Sequence, residues 1–352
     1  MTNKKITIDK KIISQNSDPY IVAEMSGNHN QSISMALKMV KLAHEAGADA
    51  IKIQTYTADS MTLNVNKKEF VIKDKTSPWF GQKLYDLYER ASTPRAWYEK
   101  IFKYSKKLGI TCFASVFDLE TVDLLEKLKV PAYKISSFEL NHIPLIKKVA
   151  LTKKPIILST GMATMQEIQE AVSVIKKNKN DKLILLHCTS EYPTDINNCN
   201  LQKILILQDR FKCMVGYSDH TDEVIAPIVA VSKGAVLLEK HFKISEKIKS
   251  VDSEFSLGPK NFKKMILECS AAKKSIGTKN LKMSKSEKFN KAFTRSIYVS
   301  KNVKINEIIS YKNIKIIRSN KGTHPRSFYS ILGKKFKKNL KIGDPLHLKD
   351  LR

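Results

Sequence analysis

Eight short apolar segments recur along the chain, at 20–24, 50–54, 110–115, 132–136, 155–159, 183–187, 213–217 and 235–239. Each is too brief for a helix and reads as a strand. The stretches between them carry apolar residues at helical spacing, as at 35–46 and 165–177, the latter opened by the capping-box signature Thr164-x-x-Glu167. Strand followed by helix, repeated, predicts a parallel sheet. Eight units in about 280 residues suit a closed (β/α)8 TIM barrel better than a doubly wound sheet, and no G-x-G-x-x-G follows the first strand.

The spacing breaks twice. Residues 56–92 form a long insertion with Trp79, Phe80 and Gly81, at a face where long loops serve the active site. After Gly277 the chain turns polar and Lys-rich, then gives short strands punctuated by Asn306, Gly322, Gly333 and Gly343. The expected organisation is an N-terminal extension capping the barrel at 1–18, a barrel at 19–280, a linker at 281–293 and a small β-rich domain at 294–352.

Composition narrows the function. The chain is 42% hydrophobic and 27% charged, as in an ordinary globular protein. Its net charge of +28 raises nucleic acid as a partner, but the lysines are spread along the chain without interleaved aromatics. Solvated helix faces, with some steering of an anionic substrate, account for them better. Five cysteines, an odd set with no C-x-x-C pair, read as reduced thiols. The start lacks the apolar core of a signal peptide and no run of 18 apolar residues occurs, so a cytoplasmic protein without membrane partners is expected.

Candidate chemistry sits where strands end, because barrel strand ends converge on one mouth. Lys52, Lys134 and Lys240 lie in or just after strands, suggesting a shared anion, although a single strand lysine can equally snorkel outward. Ser115, Ser136, Ser137, Ser159, Thr160 and Ser218 supply short hydroxyl donors, and Gly161 and Gly216 accessible backbone. Each hydroxyl alone suits a helix N-cap. His220 and His241 follow neighbouring strands and are placed to share one divalent cation, with Asp219, Glu239 or Glu24 orienting them. His29, His142 and His187 read individually as satisfied polar residues. A Schiff-base aldolase using Lys134 and a non-catalytic binder of polyanions are the rival readings.

These residues fall in motifs that resemble the sialic-acid synthase family: 23–30 (Ala-Glu-Met-Ser-Gly-Asn-His-Asn), 52–57, 133–137, 159–162, 187–190, 216–221 and 239–242. The resemblance runs in colinear order from about residue 19 to the C-terminus. It implies condensation of phosphoenolpyruvate with an acetamido-sugar aldehyde. Phosphoenolpyruvate would be surrounded by Lys52, Ser115, Lys134, Ser137, Ser159, Ser190 and Ser218. His220 and His241 would hold the metal, Mn2+ with Mg2+ or Co2+ as alternatives, and act catalytically with Glu24. Glu24, Asp252 and Arg318 would meet the sugar. Residues 24–31, 54–59, 84–88 and 251–256 look like the pseudaminic-acid branch, with the N-acetylneuraminate and legionaminate branches as alternatives. Residues 295–299, 332–335 and 343–346 resemble an SAF, or antifreeze-like, module, which implies a domain-swapped homodimer. Val116 stands where the family usually has proline, His187 where the pseudaminic branch commonly has lysine, and Pro-Gly is missing after Arg318.

Overall fold

Strands buried on both faces must read as continuous apolar runs, because helices cover one face and the barrel interior the other. The computed structural model of the chain, which describes residues 4–75, 77–278 and 280–352, is built on that rule. The first three residues of the expected extension, Thr76 in the long insertion and Lys279 near the expected boundary lie outside the described residues. The chain divides into two units, Met1–Gly277 and Thr278–Arg352.

In the first unit, β1 (Ile6–Ile8) and β2 (Lys11–Ile13) form an antiparallel hairpin. Eight parallel strands follow: β3 (Tyr20–Glu24), β4 (Ala50–Thr55), β5 (Thr111–Val116), β6 (Tyr133–Ile135), β7 (Ile156–Ser159), β8 (Leu183–Cys188), β9 (Met214–Asp219) and β10 (Leu237–His241). They close in chain order, β10 pairing with β3 so that His241 lies opposite Glu24. The TIM-barrel expectation holds, with strand ends shifted by at most two residues and the first strand unshifted.

Alternation along each strand sorts the side chains. Tyr20, Val22, Ala50, Phe113, Ile157, Ile184 and Leu237 meet inside the barrel, whereas Ile21, Ile51, Ala114, Leu158, Leu185 and Leu238 pack outward with the helices. Ile6, Ile8 and Ile13 join the inner cluster, so the hairpin plugs the end where the strands begin. Burying three isoleucines there contributes about 1.5–3 kcal/mol each. The helices use local signals: Ser32 caps Ile33–Ala46, Asp118 caps Leu119–Lys127, and Thr164 with Glu167 completes a capping box on Met165–Lys177.

In the second unit β11 (Arg295–Val299) and β12 (Ile314–Arg318) pair antiparallel over a core of Ile297, Val299, Val303, Ile314, Phe336 and Leu346. The expected linker is partly helical. Lys285–Asn290 forms a helix capped reciprocally by Ser284 and Glu287, and Lys291–Phe293 a 3-10 turn. Ser284-x-x-Glu287 was the signal, masked by the polar composition around it.

Candidate active site

The inward positions next toward the mouth from the apolar interior are polar: Glu24, Lys52, Ser115, Lys134, Ser159, Ser218 and Glu239, all buried. Lys52 is the hub. Its Nζ lies 2.6 Å from Glu24 Oε2 and 3.6 Å from Glu239 Oε2, and donates to Ser115 Oγ at 2.8 Å. Glu239 accepts from Ser218 Oγ at 2.9 Å and lies 3.9 Å from Lys134 Nζ. Among the described residues Lys134 has no carboxylate nearer than Glu239, and it donates to the Ile135 carbonyl at 3.2 Å. Gln54 Nε2 and the Ser26 amide both donate to Glu24 Oε1, at 3.1 and 3.0 Å.

These contacts set the charges. Burial alone would lower the Lys52 ammonium, but Glu239 and Glu24 together raise its pKa. Lys134 moves the other way, because burial, helped by Lys52, outweighs the attraction of Glu239. Burial raises the Glu24 carboxyl, Lys52 drawing it back only in part. Glu239 is held below the carboxylate range, since Lys134 and Lys52 together overcome its burial. The layer therefore contains one cation shared by two carboxylates and a second, Lys134, that an incoming anion would stabilise.

Beside it lies a cradle of short side chains. Ser137 Oγ is 3.0 Å from Cys188 Sγ and accepts from the Gly161 amide at 3.0 Å. A methyl group at Gly161 would overlap Ser190 Oγ and lie 2.7 Å from Cys188 Sγ and 2.9 Å from Ser137 Oγ, which explains the glycine. Ser159 Oγ is buried without a hydrogen-bond partner among the described residues. Such an orphan hydroxyl is available to a ligand.

Two residues further along β9 and β10 come the histidines. His220 and His241 face each other with ring centroids 5.4 Å apart. His220 Nδ1 donates to the Thr189 carbonyl at 2.9 Å, leaving the Nε2 lone pair free. His241 Nδ1 is buried without a hydrogen bond, 4.0 Å from Asp252 Oδ2. Burial lowers His220 to about 4 and His241 well below its ordinary value, so both rings are neutral ligand forms. Phe255 packs on both, Tyr192 on His220, and Trp79 from the long insertion on Tyr192 and Phe255. Among the described residues no group of three or more His, Cys, Asp or Glu side chains forms a metal cage. Two neutral imidazoles with centroids 5.4 Å apart, one of them with an unsatisfied buried ring nitrogen, nevertheless fit a divalent cation whose other positions are left to water and substrate.

The sequence-predicted residues thus separate by strand parity. Glu24, Lys52, Ser115, Lys134, Ser159, Ser218, His220 and His241 come together at the mouth, with Ser137 and Ser190 in the cradle and Asp252 beside His241. Lys240 does not join the anion layer. It points into the barrel wall, 2.5 Å from Asp219 Oδ2, and donates also to the Thr221 carbonyl. Asp219, bonded to Lys240, Thr221 and Tyr217, likewise does not orient the histidines. Gly216 exposes no backbone to a ligand; a methyl there would lie 2.7 Å from Leu186 Cδ2, so it is a packing glycine. His187 points outward to the Cys199 carbonyl at 2.7 Å, His142 caps a helix, and His29 is buried between the Gln31 amide and Thr93. Arg318 ends β12 opposite Arg295, exposed within its own unit. Sequence reasoning undervalued Glu239 and missed Cys188, Tyr192 and Phe255 as lining.

The NeuB family model matches residues 39–281 and the SAF domain model residues 294–352. A pseudaminic acid synthase of Campylobacter jejuni subsp. jejuni is 44% identical over 98% of each chain. One from Helicobacter pylori is 39% identical over 95% of this chain and 98% of its own. Among solved structures, the N-acetylneuraminic acid (sialic acid) synthetase of Leptospira borgpetersenii, in complex with citrate, is 31% identical with a TM-score of 0.74, covering 82% of this chain and 95% of that one.

Proposed function

This chain belongs to the NeuB family and carries an SAF domain, and on that premise we propose that it condenses phosphoenolpyruvate, water and the open-chain aldehyde of 2,4-diacetamido-2,4,6-trideoxy-altrose into pseudaminic acid and phosphate. The observation that carries the reading is the stacking of Lys52, Lys134 and a ring of buried hydroxyls directly beneath two neutral imidazoles.

In this reading Lys134 and Lys52 neutralise the phosphate and carboxylate of phosphoenolpyruvate, with Ser115, Ser137, Ser159, Ser190 and Ser218 as donors. C3 of the enol bonds to the aldehyde carbon, whose oxygen becomes an alkoxide as C2 becomes electron-poor. Water adds to C2 and gives its proton to Glu24, whose raised pKa suits a base. Glu24 passes that proton to the alkoxide, and the C2–O bond to phosphate breaks as the C2 hydroxyl becomes a carbonyl and its proton leaves with the phosphate. A divalent cation, Mn2+ with Mg2+ or Co2+ as alternatives, would be held by His220 and His241 and when bound supplies Lewis-acid polarisation of a carbonyl. Asp252 meets the sugar, joined by Arg318 of the partner subunit in a domain-swapped homodimer working in the cytoplasm. Among the described residues no helix is long and apolar enough to cross a membrane.

Phosphate release from phosphoenolpyruvate, measured with the altrose-type sugar, the mannose-type diacetamido sugar and N-acetylmannosamine in turn, tests the substrate. Turnover with the first is expected, abolished by chelation and restored by Mn2+. Preference for a mannose-type sugar reassigns the chain to the legionaminate or N-acetylneuraminate activity. Isotopic ¹⁸O bridging C2 and phosphorus should leave with phosphate; label kept in the sugar acid refutes C–O cleavage.

A further inference from the structure

The loop that follows β10 is a strap. It departs after His241 and is closed at its base by the Lys243 amide donating to the Leu257 carbonyl at 3.0 Å and the Leu257 amide to the His241 carbonyl at 2.9 Å. Its apex carries Asp252, whose carboxylate accepts from the Ser26 hydroxyl and approaches His241. Its outer face, through Ser250 and Val251, lines a cavity of about 550 Å3 together with Asn30, Gln31, Trp79 and Gln82.

Asn28 reaches this strap from the loop after β3 with all four hydrogen-bonding positions of its buried amide in use. Nδ2 donates to the Phe242 carbonyl at 2.9 Å and Ser256 Oγ at 2.8 Å, both at the base. Oδ1 accepts from Ser250 Oγ at 2.6 Å and the Asp252 amide at 3.2 Å, both at the apex. Ser256 Oγ spends its own proton on the Asp252 carbonyl at 2.5 Å, so it offers Asn28 a lone pair. The amide is thereby fixed in one orientation, and a carboxylate at position 28 would turn one of its oxygens against two acceptors, the Phe242 carbonyl and Ser256 Oγ.

We propose that Asn28 is a positioning residue for the sugar half of the site, the pin that sets Asp252 against His241 while leaving the anion layer untouched. The proposal rests on Asp252 meeting the sugar. Ser250 and Asp252 contact Asn28, whereas Lys52 and Lys134 do not, so the two halves respond differently when it is changed.

The test uses the full-length chain with Asn28→Asp, which keeps size, and Ser250→Ala, which removes one bond at a half-buried position. Asn28→Asp raises the sugar KM and lowers kcat, together about 100-fold in kcat/KM, as expected for a displaced reacting pair. Ser250→Ala gives roughly 2- to 10-fold. Phosphoenolpyruvate affinity, measured by titration calorimetry, stays at the wild-type value in both. Wild-type sugar kinetics in the two variants, or parallel loss of phosphoenolpyruvate affinity in Ser250→Ala, overturns the proposal. Hydrogen exchange separates this from failure of the proposed reaction: residues 243–258 exchange faster in both variants while the strands do not, even if the wild-type chain turns over none of the three sugars. Unchanged exchange in the strap overturns the pin.

Discussion

Replacing Lys134 with methionine removes one buried cation and separates binding from stability. Its ammonium is 3.9 Å from Glu239 and bonded to a carbonyl at 3.2 Å, a weakly compensated charge whose pKa burial has lowered. Deleting it removes a costly buried cation but also the stronger of the two counter-charges on Glu239, which is left with Lys52 and Ser218, so the two effects offset and the melting temperature falls less than in Lys52→Met. Phosphoenolpyruvate, which would lose its less encumbered ammonium, binds more weakly by about 2–5 kcal/mol, or roughly 30- to 4,000-fold. Lys52→Met differs. It strips the cation shared by Glu24 and Glu239 and destabilises the fold by about 3–5 kcal/mol, in addition to weakening the ligand. Titration calorimetry with phosphoenolpyruvate and scanning calorimetry of both variants check this. A Lys134→Met chain that binds as tightly as wild type, or melts as early as Lys52→Met, refutes the division of labour.

Lys240→Met should do the opposite of Lys134→Met, costing about 3–5 kcal/mol in urea melts by leaving Asp219 buried without its cation, with ligand affinity of the folded fraction unchanged. Acid should weaken the fold through His29, lowered by burial to about 4. Unfolded, it takes up a proton below about 6.5, so its contribution is complete above that pH and falls away toward pH 4, by up to about 3 kcal/mol. Melts from pH 8 to 4 should show this slope reduced in His29→Gln; an identical slope would assign the loss to other groups.

The barrel was legible because eight apolar runs separated by helical spacing leave few architectures. Strand parity was not. Both faces of a barrel strand are buried, so Leu237 and Leu238 look alike in sequence, and nothing there says whether Glu239 or Lys240 faces inward. Register settles it, and Lys240 falls on the wall side. The same ambiguity made Glu239 look like a helper when it links Lys52, Lys134 and Ser218. β10 also begins and ends two residues later than its apolar run, because Lys240 and His241 stay in the ladder only once partners surround them. Asn28 was visible just as one member of the 23–30 motif; its partners are more than 200 residues away. Family resemblance, carried by ordered motifs, supplied the chemistry that periodicity alone leaves open.

Among the described residues the isoleucine plug under the strands closes one end of the barrel, making it a cup. A molecule resting on Lys134 sits deeper than one touching His220, and both must use the same rim. On the proposed reaction traffic would then be queued: the enol phosphate would enter ahead of the aldehyde, and whatever forms above the floor would have to clear before the phosphate beneath it escapes.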